Sequence, residues 1–142
     1  MIKQISVFME NKVGMLSNFS KVIKGADLSI VAMCLADTTD FGVMRLVVND
    51  PEKCIETLRE NGFTASISNV LIVRMDHEGQ NMADVFDVLA EYGITVEYMY
   101  SMAHNFSKDI AVIFKVDRID HAVNVLTQQG MKLVTEEELV AL

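Results

Sequence analysis

Apolar and polar positions alternate with period two at the start of the chain and then change period. Residues 4–9 read as a short β-strand, with side chains pointing in turn to either face of a sheet. From Met15 the spacing turns helical, with Leu16, Phe19, Val22, Ile23 and Ala26 forming one stripe, closed by Gly25 and Asp27. Strands are predicted at 28–35 and 43–48, joined by the polar hairpin segment 36–42. Asp50-Pro51 supplies an N-cap followed by proline at the first helical position, so a helix is predicted over 51–61. Ile55 and Leu58 face its core, Gly62 ends it, and a short strand follows at 63–67.

The same series of signals then runs a second time. A strand at 70–75 leads to a helix with the face Met82, Val85, Phe86, Leu89 and Tyr92, ended by Gly93. Strands at about 95–102 and 109–116 precede a helix that Asp117 caps and that runs to Gln129, with Gly130 behind it. A last strand at 132–134 is followed by Thr135 and Glu138, the spacing of a capping box on a short final helix. Gly14 meets Gly79 at an offset of 65 residues; Leu28, Ile30 and Met33 meet Ile94, Val96 and Met99 at 66. Asp50 meets Asp117 at 67 and Gly62 meets Gly130 at 68, a slow drift that small loop insertions explain. The sequence therefore predicts an α+β protein of two repeats, 1–68 and 69–142. Each is a ferredoxin-like βαββαβ plait, an antiparallel sheet with both helices on one face. A plait of this length buries little apolar surface by itself, so the two are expected to pack side by side as one unit.

Composition narrows the function. Apolar residues make up 51% and charged residues 23%, the balance of a globular chain, and no apolar run reaches the length of a membrane helix. The start of the chain lacks the apolar stretch of a signal peptide, so a soluble, cytoplasmic protein is expected. A net charge of −8 opposes binding to a phosphate backbone, which needs clustered Lys and Arg. Most of the excess is in the second half, with five Lys/Arg against twelve Asp/Glu in residues 70–142. Cys34 and Cys54 have no paired spacing and are expected as reduced, packed thiols. His77, His104 and His121 are scattered without partners at ligand spacing, so no metal or other cofactor is expected.

The loop after the first strand of each repeat carries the remaining chemistry. It reads Met9-Glu-Asn-Lys-Val-Gly-Met-Leu16 in the first and Met75-Asp-His-Glu-Gly-Gln-Asn-Met82 in the second. Neither copy has the paired cysteines of a metal carrier or the Gly-rich loop and Arg of a phosphate-cleaving plait. An RNA-binding plait would need stacking aromatics and basic residues on the central strands, and these offer Arg45 and Lys115 only singly. What the loop offers is a glycine at a strand-to-helix turn, beyond which the free N–H groups of a helix start can take a carboxylate. Asn11 adds an amide that both donates and accepts. A small zwitterion suits such a place.

Residues 9–16 resemble the ligand loop of ACT domains, small βαββαβ modules that bind amino acids and regulate amino-acid metabolism. The loop is similar to that of the serine-responsive module of phosphoglycerate dehydrogenases, roughly His-Glu-Asn-Arg-Pro-Gly-Val-Leu. Asn11, Gly14 and Leu16 match, while Met9 stands for its His and Val13 for its Pro. The resemblance extends through residues 27–33 and 93–100 and covers nearly the whole chain as a tandem pair. It implies a ligand held by Asn11, Lys12, Val13, Gly14, Met15 and Leu16 against Val96, Glu97, Tyr98 and Met99 of the second repeat's second strand. A weaker mirror site would use Gly79, Gln80, Asn81 and Met82 with the strand from Ile30 through Met33 to Cys34. With no nucleophile–base pair evident, the chain is expected to be a non-catalytic regulatory module with a free amino acid as ligand. A homodimer, or a metabolic enzyme as partner, would read the signal; no nucleic acid or membrane is expected. The competing reading is an assembly protein without a ligand, acting as an enzyme's partner subunit.

Overall fold

The computed structural model describes residues 1–37, 40–76, 80–103, 106 and 108–142, with backbone only for Asp37 and Gln80. In chain order the elements are β1 (Ile2–Glu10), α1 (Met15–Gly25), β2 (Ile30–Asp37), β3 (Phe41–Val48), α2 (Pro51–Glu60) and β4 (Thr64–Asp76). They continue with α3 (Gln80–Glu91), β5 (Val96–Ser101), β6 (Asp109–Val116), α4 (Ile119–Gln128), β7 (Lys132–Leu133) and α5 (Glu136–Val140). The chain divides into two compact units, Lys3–Ser68 and Asn69–Leu142, the latter together with Met1–Ile2. The strand order is β2-β3-β1-β4 in the first and β5-β6-β4-β7 in the second. The pairs β1·β3, β2·β3, β4·β6, β5·β6 and β4·β7 are all antiparallel. This is the βαββαβ plan twice. The two strands predicted at 63–67 and 70–75 are one strand of 13 residues, because no Gly or Pro interrupts the segment between them.

Alternation decides what each sheet buries. Ile5, Val7 and Met9 of β1 and Met44, Leu46 and Val48 of β3 point to the helix side, where Phe19 and Ile23 of α1 and Cys54, Ile55 and Leu58 of α2 meet them. The second unit repeats this with Leu71, Val73 and Met75 of β4, Val112, Phe114 and Val116 of β6, and Val85, Val88 and Leu89 of α3. Leu16 and Met82, at the starts of the expected helix stripes, are exposed, while Phe86, 37% exposed, keeps its ring edge-on against Phe114 of the second core at 6.2 Å.

The local signals at the ends of elements form as the residues dictate. Asp50 caps α2 by accepting a bond from the Lys53 N–H at 3.1 Å, and Thr135 with Glu138 forms the capping box on α5. Asp117 behaves differently from its expected role. Its Oδ1 accepts from the Thr95 N–H at 3.0 Å, and the N-cap of α4 is Arg118, with no side-chain cap. The true counterpart of Asp117 is Asn49, whose Oδ1 accepts from the Ser29 N–H at 3.0 Å. The repeats are thus aligned here at 68 rather than 67, and in each a short polar side chain ties the start of one strand to the end of its neighbour. The turn after the first helix is also shared: Asp27 at φ 54° and Gly93 at φ 66° occupy the same left-handed position. A β-bulge also recurs, between Ile30 and Ala32 in β2 and between Val96 and Tyr98 in β5.

Two stability measurements follow. Leu58 is fully buried, so Leu58→Ala is expected to cost about 2–5 kcal/mol in urea unfolding. The half-exposed Leu16→Ala is expected to cost under about 1 kcal/mol in the same experiment. Burial, and secondarily the charge of Asp50, push the Cys54 thiol from its ordinary 9.0 up to about 11. A pKa raised in the folded state stabilises the fold below pH 9 and is lost as the pH rises from 9 through about 11. Unfolding free energies across that window are expected to fall less steeply in Cys54→Ala than in the parent chain.

Candidate functional site

The first loop is built to leave a helix start open. β1 ends at Glu10, and the Asn11 N–H donates to the carbonyl of Asp40 at 2.7 Å, which ties the loop to the entry of β3. The Lys12 N–H turns back to the Glu10 carbonyl at 3.0 Å. Gly14 then takes φ 91°, a conformation that costs any L side chain about 1–2 kcal/mol, and so serves as the N-cap of α1 without a side chain to close it. Asn18 makes the first good intrahelical bond, to the Gly14 carbonyl at 2.9 Å, and Met15 donates to the Lys12 carbonyl at 3.3 Å. The N–H groups of Leu16 and Ser17 have no backbone acceptor among the described residues, as expected for the first turn of a helix.

These groups border a cleft of about 250 Å³ inside the first unit. It is lined by Met9 and Glu10 at the end of β1, the loop residues Asn11 to Gly14, Met15 to Ser17 of α1, and Leu35 and Gly42 from β2 and β3. Asn11, Lys12, Val13, Gly14, Met15 and Leu16, the consecutive residues that the resemblance names, all line it. Met9, Glu10, Ser17, Leu35 and Gly42 were not expected there. Leu35 arrives by sheet register, opposite Met44 and so on the helix side, and Gly42 pairs with Met9. Neither placement can be read without knowing how β2 and β1 align on β3. Among the ionisable side chains, Lys12 and Glu10 meet at 3.4 Å on the surface, an exposed pair of small energetic weight.

The second loop differs at the equivalent helix start. Gly79 and the side chain of Gln80 lie outside the described residues, as do His77 and His104. Asn81 does not face an open mouth. Its Oδ1 accepts from the Asp76 N–H at 2.8 Å, and its own N–H donates to Asp76 Oδ2 at 3.2 Å. A carboxylate from the chain itself therefore sits on the first turn of α3, where charge and free N–H groups favour an anion. Met82, one position further, is exposed.

The strand residues named from the resemblance lie on the outer strands of each sheet. Ile30 pairs with Val48 and Met33 with Leu46 in β2, both with exposed side chains. In β5, Val96 is opposite Val116 and Met99 opposite Phe114, Glu97 sits in the bulge with its carboxylate 3.1 Å from Lys115 Nζ, and Tyr98 stacks on Tyr100 at 6.4 Å. His121 packs edge-on against Tyr92. No cluster of three metal-binding side chains occurs among the described residues, and no helix there is long and apolar enough to cross a membrane.

No curated protein matches the sequence significantly. A solved structure from Bacteroides thetaiotaomicron, protein BT0572, is similar at 30% identity and a TM-score of 0.90, covering 99% of this chain and 96% of that one. The ligand-free regulatory subunit of aspartate kinase from Thermus thermophilus shares the fold at 14% identity and a TM-score of 0.62, covering 89% and 91%. The corresponding subunit from Thermus flavus does so at 14% identity and 0.58, covering 89% and 90%. The sequence profile of the ACT domain pair matches residues 1–142, and the chain belongs to that family.

Proposed function

We propose that the chain is a non-catalytic regulatory module that binds a free amino acid at the open mouth of α1. The ligand carboxylate takes the N–H groups of Leu16 and Ser17, where the helix dipole adds to hydrogen bonding. The Asn11 amide and the Glu10 carboxylate, both lining the cleft, supply oxygen for the ammonium group. One observation carries this reading: the α1 start has no side-chain cap and opens on a cleft, whereas the α3 start is already occupied by Asp76. Membership of the ACT domain pair family fits a sensor of amino-acid metabolism.

Binding works by population shift. A ligand that fits one arrangement of the loop and α1 better than others favours that arrangement by its difference in affinity. A second copy of the chain, or a metabolic enzyme, then reads the change. The free edges of β2 and β5 within their own sheets are the natural place for a second copy to pair, since an open edge offers unpaired N–H and C=O groups.

A thermal-shift panel of the twenty amino acids tests the reading. At about 100 times its dissociation constant a ligand adds roughly 2.7 kcal/mol to folding stability, an upward shift of several degrees. Asn11→Ala is expected to abolish that shift while changing unliganded stability by no more than about 0.5 kcal/mol, since the residue is exposed. A flat panel would favour an assembly protein instead. Calorimetric titration is expected to give one amino acid per chain, because Asp76 holds the second mouth; two equal sites would contradict that.

A further inference from the structure

We infer that the amino acid taken at the α1 mouth has an apolar side chain, of the size of leucine, methionine or phenylalanine; this rests on the reading above and names its ligand class. Several large apolar residues converge on this one cleft while remaining open to solvent. Val13 is fully exposed, and Leu16 and Leu35 are 50% and 40% exposed. They come from three separate elements: the loop, α1 and β2. Apolar groups left open together in a concave place mark a binding surface, because water is the poorer neighbour for them. Met9 and Met15 extend the apolar lining, and thioether side chains adapt to the shape of what they meet.

The polar groups of the cleft are suited to the ligand's backbone and not to its side chain. The two charged side chains, Glu10 and Lys12, face each other at 3.4 Å, so the cleft presents little net charge to an acidic or basic ligand. A polar ligand side chain laid against Val13, Leu16 and Leu35 would give up water for carbon, an uncompensated loss. The volume, about 250 Å³, lies just below the usual range of ligand pockets and suits a free amino acid rather than a nucleotide.

Isothermal titration of the full chain with leucine and asparagine, near-isosteres of opposite polarity, tests the class, with phenylalanine, aspartate and lysine alongside. Leucine is expected to bind at least about tenfold more tightly than asparagine, the discrimination that apolar contacts of this size support. Leu35→Asn, at a half-exposed strand position, is expected to weaken leucine binding about tenfold with the thermal midpoint of the unliganded chain little changed. Equal or tighter binding of asparagine, aspartate or lysine overturns the apolar class while leaving an amino-acid site in place. Leucine preference untouched by Leu35→Asn overturns the assignment to this cleft. No binding by any of the five overturns the apolar class, whereas only a flat panel of all twenty amino acids overturns the reading beneath it.

Discussion

An α-helix cannot satisfy the N–H groups of its own first turn, and the two repeats of this chain deal with that constraint in opposite ways. In the second, Asp76 reaches across the loop and places a carboxylate on the Asn81 N–H, while Asn81 returns a bond to Asp76. In the first, the equivalent turn is made by Gly14, whose left-handed conformation positions the helix start but brings no side chain to it. One fold, read twice, thus yields a closed mouth and an open one. The difference lies in the residues chosen at a handful of loop positions, since the sheets, helix faces and clasp bonds are otherwise shared.

The core explains why that choice is available. Ile5, Val7 and Met9 fix β1 against α1 and α2, so the end of the strand and the start of the helix are held apart at a set distance whatever the loop contains. The clasps at Ser29–Asn49 and Thr95–Asp117 do the same for the second strand of each repeat. With the scaffold anchored by alternation and short polar ties, the loop is released from holding the fold together. Val13 and Leu16 can then remain exposed, which no packing requirement of the core would produce.

Signals acting over a few residues were legible in the sequence. The Asp50-Pro51 cap, the Thr135–Glu138 box and the glycine at position 14 are chemistry between near neighbours, and each forms as its residue types require. The repeat was legible as well, because one plan imposed twice leaves matching apolar spacings. What escaped depends on contacts distant along the chain. Asp117 looked like a cap because it precedes a helix; only its bond to Thr95, across the sheet, shows it to be a clasp. Leu35 enters the cleft through the register of β2 on β3. Leu16 and Met82 fit a helical stripe in sequence, yet are exposed at the starts of their helices.

The central claim is that the Leu16 and Ser17 amides receive a carboxylate that the Asn81 amide cannot. Amide chemical shifts of the nitrogen-15-labelled chain, recorded as leucine is added, report this directly. The account predicts large downfield movement at Leu16 and Ser17, with Asn81 unmoved because its N–H is already bonded to Asp76. Shifts concentrated at Asn81, or spread over residues outside the α1 mouth while Leu16 and Ser17 stay in place, would contradict it.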